Sequence, residues 1–266
     1  MSETNPALAN PTGKVQPVRP AATVIIVRDG PSDNPAGYEI FMLKRSGKSS
    51  FAGGMYVFPG GKVDPDDHLH ALDAYRVGPT EQQLKQQQAL GSEWRGYWIA
   101  GIRECLEEAA LLLAYDGSGA LVSFDDQALH ARMEADRRAL HAGELDIIDI
   151  CRREGFKLAV DQIHFLNRFV TPIGRPRRFD TRFFVAKAPP SQVGLHDDVE
   201  TVGSEWITPS DALERNAAGE FDLMRVTQLQ LSGLCGFESA DALIADVASR
   251  DEYPVTRPPT IPRDAQ

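Results

Sequence analysis

The sequence is short of cysteine, of positive charge and of long apolar runs, and each shortage excludes something. Three cysteines in 266 residues (Cys105, Cys151 and Cys235) are too few and too scattered for a disulfide framework or a zinc cluster. They read as small core residues in a reducing compartment. Lys and Arg number 28 against 38 Asp and Glu, a formal net charge of −10. That balance argues against a general binder of nucleic acid or of anionic membrane, both of which need a basic surface. No run of apolar residues reaches the length of a membrane span. The first residues lack an apolar signal core and Ala265-Gln266 is no peroxisomal address, so the expected location is cytoplasmic.

What is present is an ordinary globular composition, 42% hydrophobic and 25% charged. Residues 1–20, with Pro6, Pro11, Pro17 and Pro20, read as a flexible arm. Strand character follows over 22–28, 38–45 and 55–58, the last delivering Gly60-Gly61. Along the second strand Ile40, Met42 and Lys44 alternate with Phe41 and Leu43. Thr80-Glu81-Gln82-Gln83 has the form of a capping box. Two helices over about 123–155 suggest an accessory lobe whose Arg132, Glu134, Arg137 and Arg138 form a solvated face. His68, His70 and Asp73 read as loop surface. Strands return over 162–170, 181–187 and 202–207, helices follow to 250, and the proline-rich end from Asp251 reads as a disordered tail.

The most informative stretch is Gly101 to Leu113. Trp98, Ile102, Cys105, Ala109 and Leu112 step at helical intervals and define one apolar stripe, with a helix expected over 93–115. Glu104, Glu107 and Glu108 stand at i, i+3 and i+4, so their carboxylates share another face. Three like charges on one surface repel, and Arg103 is expected to point elsewhere on the helix. A solvated acidic face is one reading. A hard divalent cation held between the carboxylates is the other, since such ions take oxygen ligands and are often shared with substrate phosphates.

Phe58-Pro59-Gly60-Gly61-Lys62 and Arg103-Glu104-Cys105-Leu106-Glu107-Glu108 together resemble the Nudix hydrolase signature: a glycine, five residues, a glutamate, seven residues, then Arg-Glu-hydrophobic-x-Glu-Glu-x-Gly-hydrophobic. Three departures stand out. Gly61 and Arg103 are 42 positions apart, 28 more than the uninterrupted pattern allows. The intermediate glutamate is replaced at best by Asp67, or by a residue within the insertion. Ala110 stands where the last glycine belongs. An interrupted box, with Leu43-Lys44-Arg45-Ser46, Val170-Thr171-Pro172, Pro176 to Phe184 and Glu205-Trp206-Ile207, is similar to the acyl-coenzyme A diphosphatase branch.

That resemblance implies an α/β fold, a Nudix-type α/β/α sandwich with a mixed sheet, a helical insertion and a C-terminal helical extension. The Nudix domain would span 21–213, with the insertion at about 66–92, and the extension 214–250. It implies hydrolysis of a diphosphate bridge, with Glu104, Glu107, Glu108 and Arg103 catalytic. Glu104, Glu107, Glu108 and one carboxylate from outside the box, Glu200 or Asp198, would hold Mg2+ or Mn2+. Gly60, Gly61, Arg45, Lys44, Arg175 and Arg178 would contact a small nucleotide-diphosphate substrate, guanidinium forks suiting phosphate oxygens. CoA or acyl-CoA is the expected substrate. ADP-ribose, a dinucleotide or a modified nucleoside triphosphate is the alternative, as is a silent nucleotide-sensing module. No nucleic-acid or membrane partner is expected, and a homodimer is left open.

Overall fold

The structure, a computed structural model, describes residues 15–30, 37–49, 52–91 and 93–258. The expected arm over 1–14 and the end of the tail, 259–266, lie outside the described residues.

At the centre is β1 (Val18–Asp29), in which Val24, Ile25, Ile26 and Val27 are all fully buried. A strand apolar on both faces must be covered on both, which is the condition for a three-layer sandwich. It pairs in parallel with β9 (Arg178–Lys187) from Val18↔Arg178 to Val27↔Lys187. On its other side it pairs antiparallel with β2 (Tyr38–Arg45) at one end and with the short β4 (Gly60–Lys62) at the other. The two-residue β3 (Tyr56–Val57) pairs with β2. With β8 (His164–Val170), β10 (Thr201–Ile207) and β11 (Val255–Thr256), the sheet runs β10-β2-β1-β9-β8-β11. A second sheet joins β5 (Arg76–Val77), β7 (Lys157–Ala159) and β6 (Ala114–Tyr115).

Side-chain alternation along β1 divides the core. Ala22, Val24 and Ile26 pack against α3 (Trp94–Ala109), while Ile25 and Val27 face the opposite layer. The first layer also holds α4 (Gln127–His141) and α5 (Ile147–Glu154). The opposite layer consists of α6 (Pro209–Ala217), α7 (Arg225–Leu234) and α8 (Ala240–Ser249), whose Ala212, Leu231 and Leu243 are fully buried. The insertion between Gly61 and α3 folds as two 3-10 turns, β5, α1 (Glu81–Lys85) and α2 (Gln87–Leu90). The capping box at Thr80 forms as expected, with the Gln83 side chain reaching back to the Thr80 amide at 2.7 Å. Among the described residues no helix is long and apolar enough to cross a membrane.

The structure corrects several expectations. Val18 to Pro20, assigned to the arm, belong to β1, because β9 offers them a strand to pair with. The boundary at 213 falls inside α6, and the residues read as an extension are the second helical layer that covers β1. Within the expected tail, Val255 and Thr256 pair with Arg168 and Phe169 while Tyr253 stacks on Phe165. The helix expected to reach 115 stops at Ala109. Ala110 adopts φ 54°, the left-handed conformation for which the family pattern supplies glycine, at a cost of about 1–2 kcal/mol for an L-residue. Arg137, assigned to a solvated face, is buried, whereas Arg132 and Arg138 are exposed.

Candidate active site

The site forms where α3 passes the β4 turn. Gly61 is required there by space: a Cβ would stand 2.4 Å from Oε1 of Glu104. Gly60 has φ 155°, and a Cβ on it would meet the Ala22 carbonyl oxygen at 2.5 Å. This close approach lets the Gly60 amide donate to Oε2 of Glu108 at 2.9 Å. Glycine in the loop and glutamate on the helix are thus one unit, although 48 residues separate them.

Arg103 closes the other side. Its Nε and Nη2 donate to the two carboxylate oxygens of Asp67, both at 3.0 Å, a bidentate pair. Nη2 also donates to the Lys62 carbonyl at 2.9 Å. Nη1 donates to Glu104 at 3.0 Å and to Glu107 at 3.1 Å. The arginine does not point away from the acids, as expected, but stands among them. Asp67 fills the role of the missing intermediate glutamate. Its side chain accepts from the Asp64 amide at 2.8 Å, and the 3-10 turn this closes brings the start of the insertion back to α3.

Asp67, Arg103, Glu104, Glu107 and Glu108 are each at least nine-tenths buried. Burial pushes the Glu108 carboxyl up to about 8, against the Gly60 amide and the Arg45 charge, which favour its ionised form. Burial, and then the charge of Glu108, raise Glu104 well above the usual carboxylate range. Glu107 and Asp67 are raised by burial as well, Arg103 working against it in both. For Arg103 burial disfavours the charge, but the hydrogen bonds to Asp67 and the charges of Asp67, Glu104 and Glu107 together outweigh it, and its pKa rises. One guanidinium among four buried carboxyls leaves negative charge uncompensated.

A hard divalent cation fits that donor set. The oxygens are carboxylates on one helical face beside a glycine turn, and their mutual repulsion is what a cation would relieve. Among the described residues no three acidic, histidine or cysteine side chains already converge as they would around an ion, and Arg103 Nη1 bridges Glu104 and Glu107.

The remaining expected residues divide. Arg45 follows Phe41 and Leu43 on the α3 face of β2, where its charge acts on Glu108. Its Nη2 pairs with Glu200 at 2.8 Å, and its Nε is buried without a protein partner. The charges of Glu200 and Asp197 also favour the protonated form of Glu108. Lys44 points to the opposite face, its ammonium 5.4 Å from the Tyr56 ring centre, which removes it from the carboxylates. Arg178 donates to the carbonyls of Thr171 and Gln16. It pairs with Val18, four residues along β1 from the level of Gly61, or about 13 Å. Arg175 lies in the β8–β9 connection. Asp198 is exposed and pairs with His196 at 2.9 Å. Sequence reasoning missed Arg137, although Met133 and Leu140 place it on the apolar stripe of α4.

Comparison with known proteins agrees with this geometry. The profile of the NUDT19 Nudix domain matches residues 76–225, more than half of the chain. The acyl-coenzyme A diphosphatase NUDT19 of Gallus gallus is 29% identical, over 85% of this chain and 70% of its own length. Its namesake in Xenopus laevis is 25% identical over 82% and 65%, and the Homo sapiens protein 24% over 78% and 63%. The chain thus spans roughly two thirds of the length of these relatives. A crystal structure of a Nudix hydrolase from Alicyclobacillus acidocaldarius superposes with a TM-score of 0.70 at 24% identity, covering 86% of this chain and 96% of that one. Profile, fold and the reassembled box agree, and the chain belongs to the Nudix family of diphosphate-bond hydrolases, in the branch of the NUDT19 Nudix domain.

Proposed function

We propose that the protein hydrolyses the diphosphate bridge of CoA or acyl-CoA, giving 3′,5′-ADP and (acyl-)phosphopantetheine. The observation that carries the reading is the packing of Gly60 and Gly61 against Glu108 and Glu104, with Arg103 and Asp67 bracing the same helix. This is an intact box despite the insertion. The substrate class comes from the relatives named acyl-coenzyme A diphosphatase.

Glu104, Glu107 and Glu108, with Glu200 from the acidic loop, would hold Mg2+ or Mn2+. Such an ion, when bound, neutralises charge building on the phosphoryl oxygens and acidifies water. The protein's own residues do the rest. Gly60 and Gly61 let the diphosphate approach the helix closely, because neither carries a side chain between β4 and the carboxylates. The buried, unpartnered Nε of Arg45 offers a donor to a phosphate oxygen. Glu104, or a carboxylate of the acidic loop, takes the proton as water oxygen bonds to phosphorus and the bridging P–O bond breaks. The electron pair of that bond leaves on the phosphate oxygen of the departing half.

The test is a substrate panel of CoA, acyl-CoA, ADP-ribose, dinucleotides and modified nucleoside triphosphates, with Mg2+ or Mn2+. Metal-dependent release of 3′,5′-ADP, lost in Glu107→Gln and Glu108→Gln, supports the reading. Full activity in those variants rules out the site. Turnover of ADP-ribose with none on CoA corrects the substrate, and tight binding without any turnover points to a sensing module.

A further inference from the structure

The accessory helix α4 reaches the active site through one buried side chain. Arg137 is 7% exposed, and its Nε donates to the backbone carbonyl of Glu107 at 2.8 Å. That carbonyl lies in the last turn of α3, where no further helical amide is available to it. Nη2 of the same guanidinium donates to the Leu195 carbonyl at 3.2 Å, and Nη1 lies 3.5 Å from Glu134. Leu195 is itself tied to α3, its amide donating to the Ala109 carbonyl at 2.9 Å. Asp197 and Glu200 follow within five residues, and both act on Glu108. Asp197 organises that segment by accepting from the amides of Val199, Glu200 and Thr201. One turn further along α4, the His141 imidazole stands close enough to act on the charge of Glu107. Arg137 therefore ties a helix outside the box to the end of α3 and to the loop after Leu195.

We propose that Arg137 is a positioning residue of the active site, setting the distance between the box glutamates on α3 and the loop that carries Asp197 and Glu200. It does so through two backbone carbonyls, one on each side of the gap. A planar guanidinium spans both, whereas a lysine reaches only one. Removing the brace lets the loop and the helix end drift, so the carboxylates no longer share a cation at one spacing. Groups that orient metal ligands from outside typically control affinity by about 10- to 100-fold. The inference rests on the metal-dependent reading of the site given above.

The experiment measures binding of Mn2+ alone by titration calorimetry, with thermal melting, kcat and KM on CoA, for wild type, Arg137→Met, Arg137→Lys and Arg132→Met. Arg132 is the control, an exposed arginine of the same helix paired with Glu154. Arg137→Met is expected to weaken Mn2+ binding by about 10- to 100-fold and to lower kcat comparably, with KM nearly unchanged. Arg137→Lys should recover part of both losses, and Arg132→Met should match wild type. A lower melting temperature with Mn2+ affinity and kcat unchanged overturns the proposal, because the arginine would then be packing alone. If Arg137→Met does not fold, Arg137→Lys decides: unchanged Mn2+ affinity overturns it, and a weaker affinity at unchanged melting temperature supports it. Wild type that neither binds Mn2+ nor cleaves any diphosphate overturns the proposed function itself, and this inference with it.

Discussion

Two helices of this protein, α3 and α4, carry charged residues at helical spacing, and the fold treats them in opposite ways. On α3, Arg103, Glu104, Glu107 and Glu108 are all buried, three acids beside one base. On α4, Arg132 and Arg138 face solvent, Asp136 is satisfied by Arg153, and Arg137 turns inward to donate to the Glu107 carbonyl of α3. Solvated charges on a helix are worth little whichever way they are paired. Buried acids in excess are costly, and a fold that retains them keeps a destabilised cluster that a cation can relieve. The difference lies in the neighbours rather than in the helices. The β4 turn and Asp67 cover the α3 acids, whereas among the described residues nothing equivalent covers Arg132 and Arg138 on the outer face of α4.

The largest effect that could break this contrast is catalytic. Glu107→Gln or Glu108→Gln should lower kcat by more than about 1,000-fold, since charge stabilisation of the transition state depends on the full carboxylate set. Above about pH 8 in chelator, Glu108→Gln should melt no lower than wild type, because it removes a buried charge. Exchange of Arg132 or Glu154 for Gln should leave turnover unchanged.

A second effect is read from pH. The Glu108 carboxyl is pushed up to about 8 by burial, against an unfolded value near 4.5. The folded chain therefore binds its proton more tightly than the unfolded chain does. Below about pH 4.5 the group is protonated in both states and contributes no penalty. Between pH 4.5 and 8 the unfolded state ionises freely while the folded state resists, so stability falls as pH rises, by on the order of 4 kcal/mol for this group. In chelator, thermal melting should decline across that window, and Glu108→Gln should flatten the decline. Added Mn2+ should restore the loss most strongly near pH 8.

The third effect concerns the brace. Asp67→Ala leaves the buried Arg103 without its bidentate partner and should cost about 3 kcal/mol in chemical denaturation. Asp149→Ala, which removes an exposed partner of Arg152, should cost under about 1 kcal/mol. Equal costs would show that burial does not separate the two classes of ion pair.

Much of this contrast could be read from the chain itself. The i, i+3, i+4 spacing of the glutamates and the glycine pair identify both halves of the box without coordinates. Strand alternation already put Lys44 with Ile40 and Met42, but it was still expected to bind substrate, and its place over Tyr56 is seen only in the fold. Other features depend on distance in space. Asp67 was one candidate among the acids of the insertion, and only the turn at Asp64 returns it to Arg103. Arg178 has the chemistry of a phosphate binder, but its register on β1 sets its backbone four residues from the level of Gly61. Arg137 has no charge partner in its own helix beyond Glu134, and its two carbonyl acceptors lie 30 and 58 residues away. The C-terminal helices read as an addition because, although the apolar run Val24 to Val27 demands cover on both faces of β1, nothing local in 214–250 names the strand those helices cover.

The most direct test of the central claim is a crystal grown with Mn2+ and measured for its anomalous signal. A difference peak is expected on carboxylate oxygens of Glu107 and Glu108, or of Glu104, beside Gly60 and Gly61. A well-ordered box with no peak there, or with Mn2+ bound only elsewhere, would contradict it.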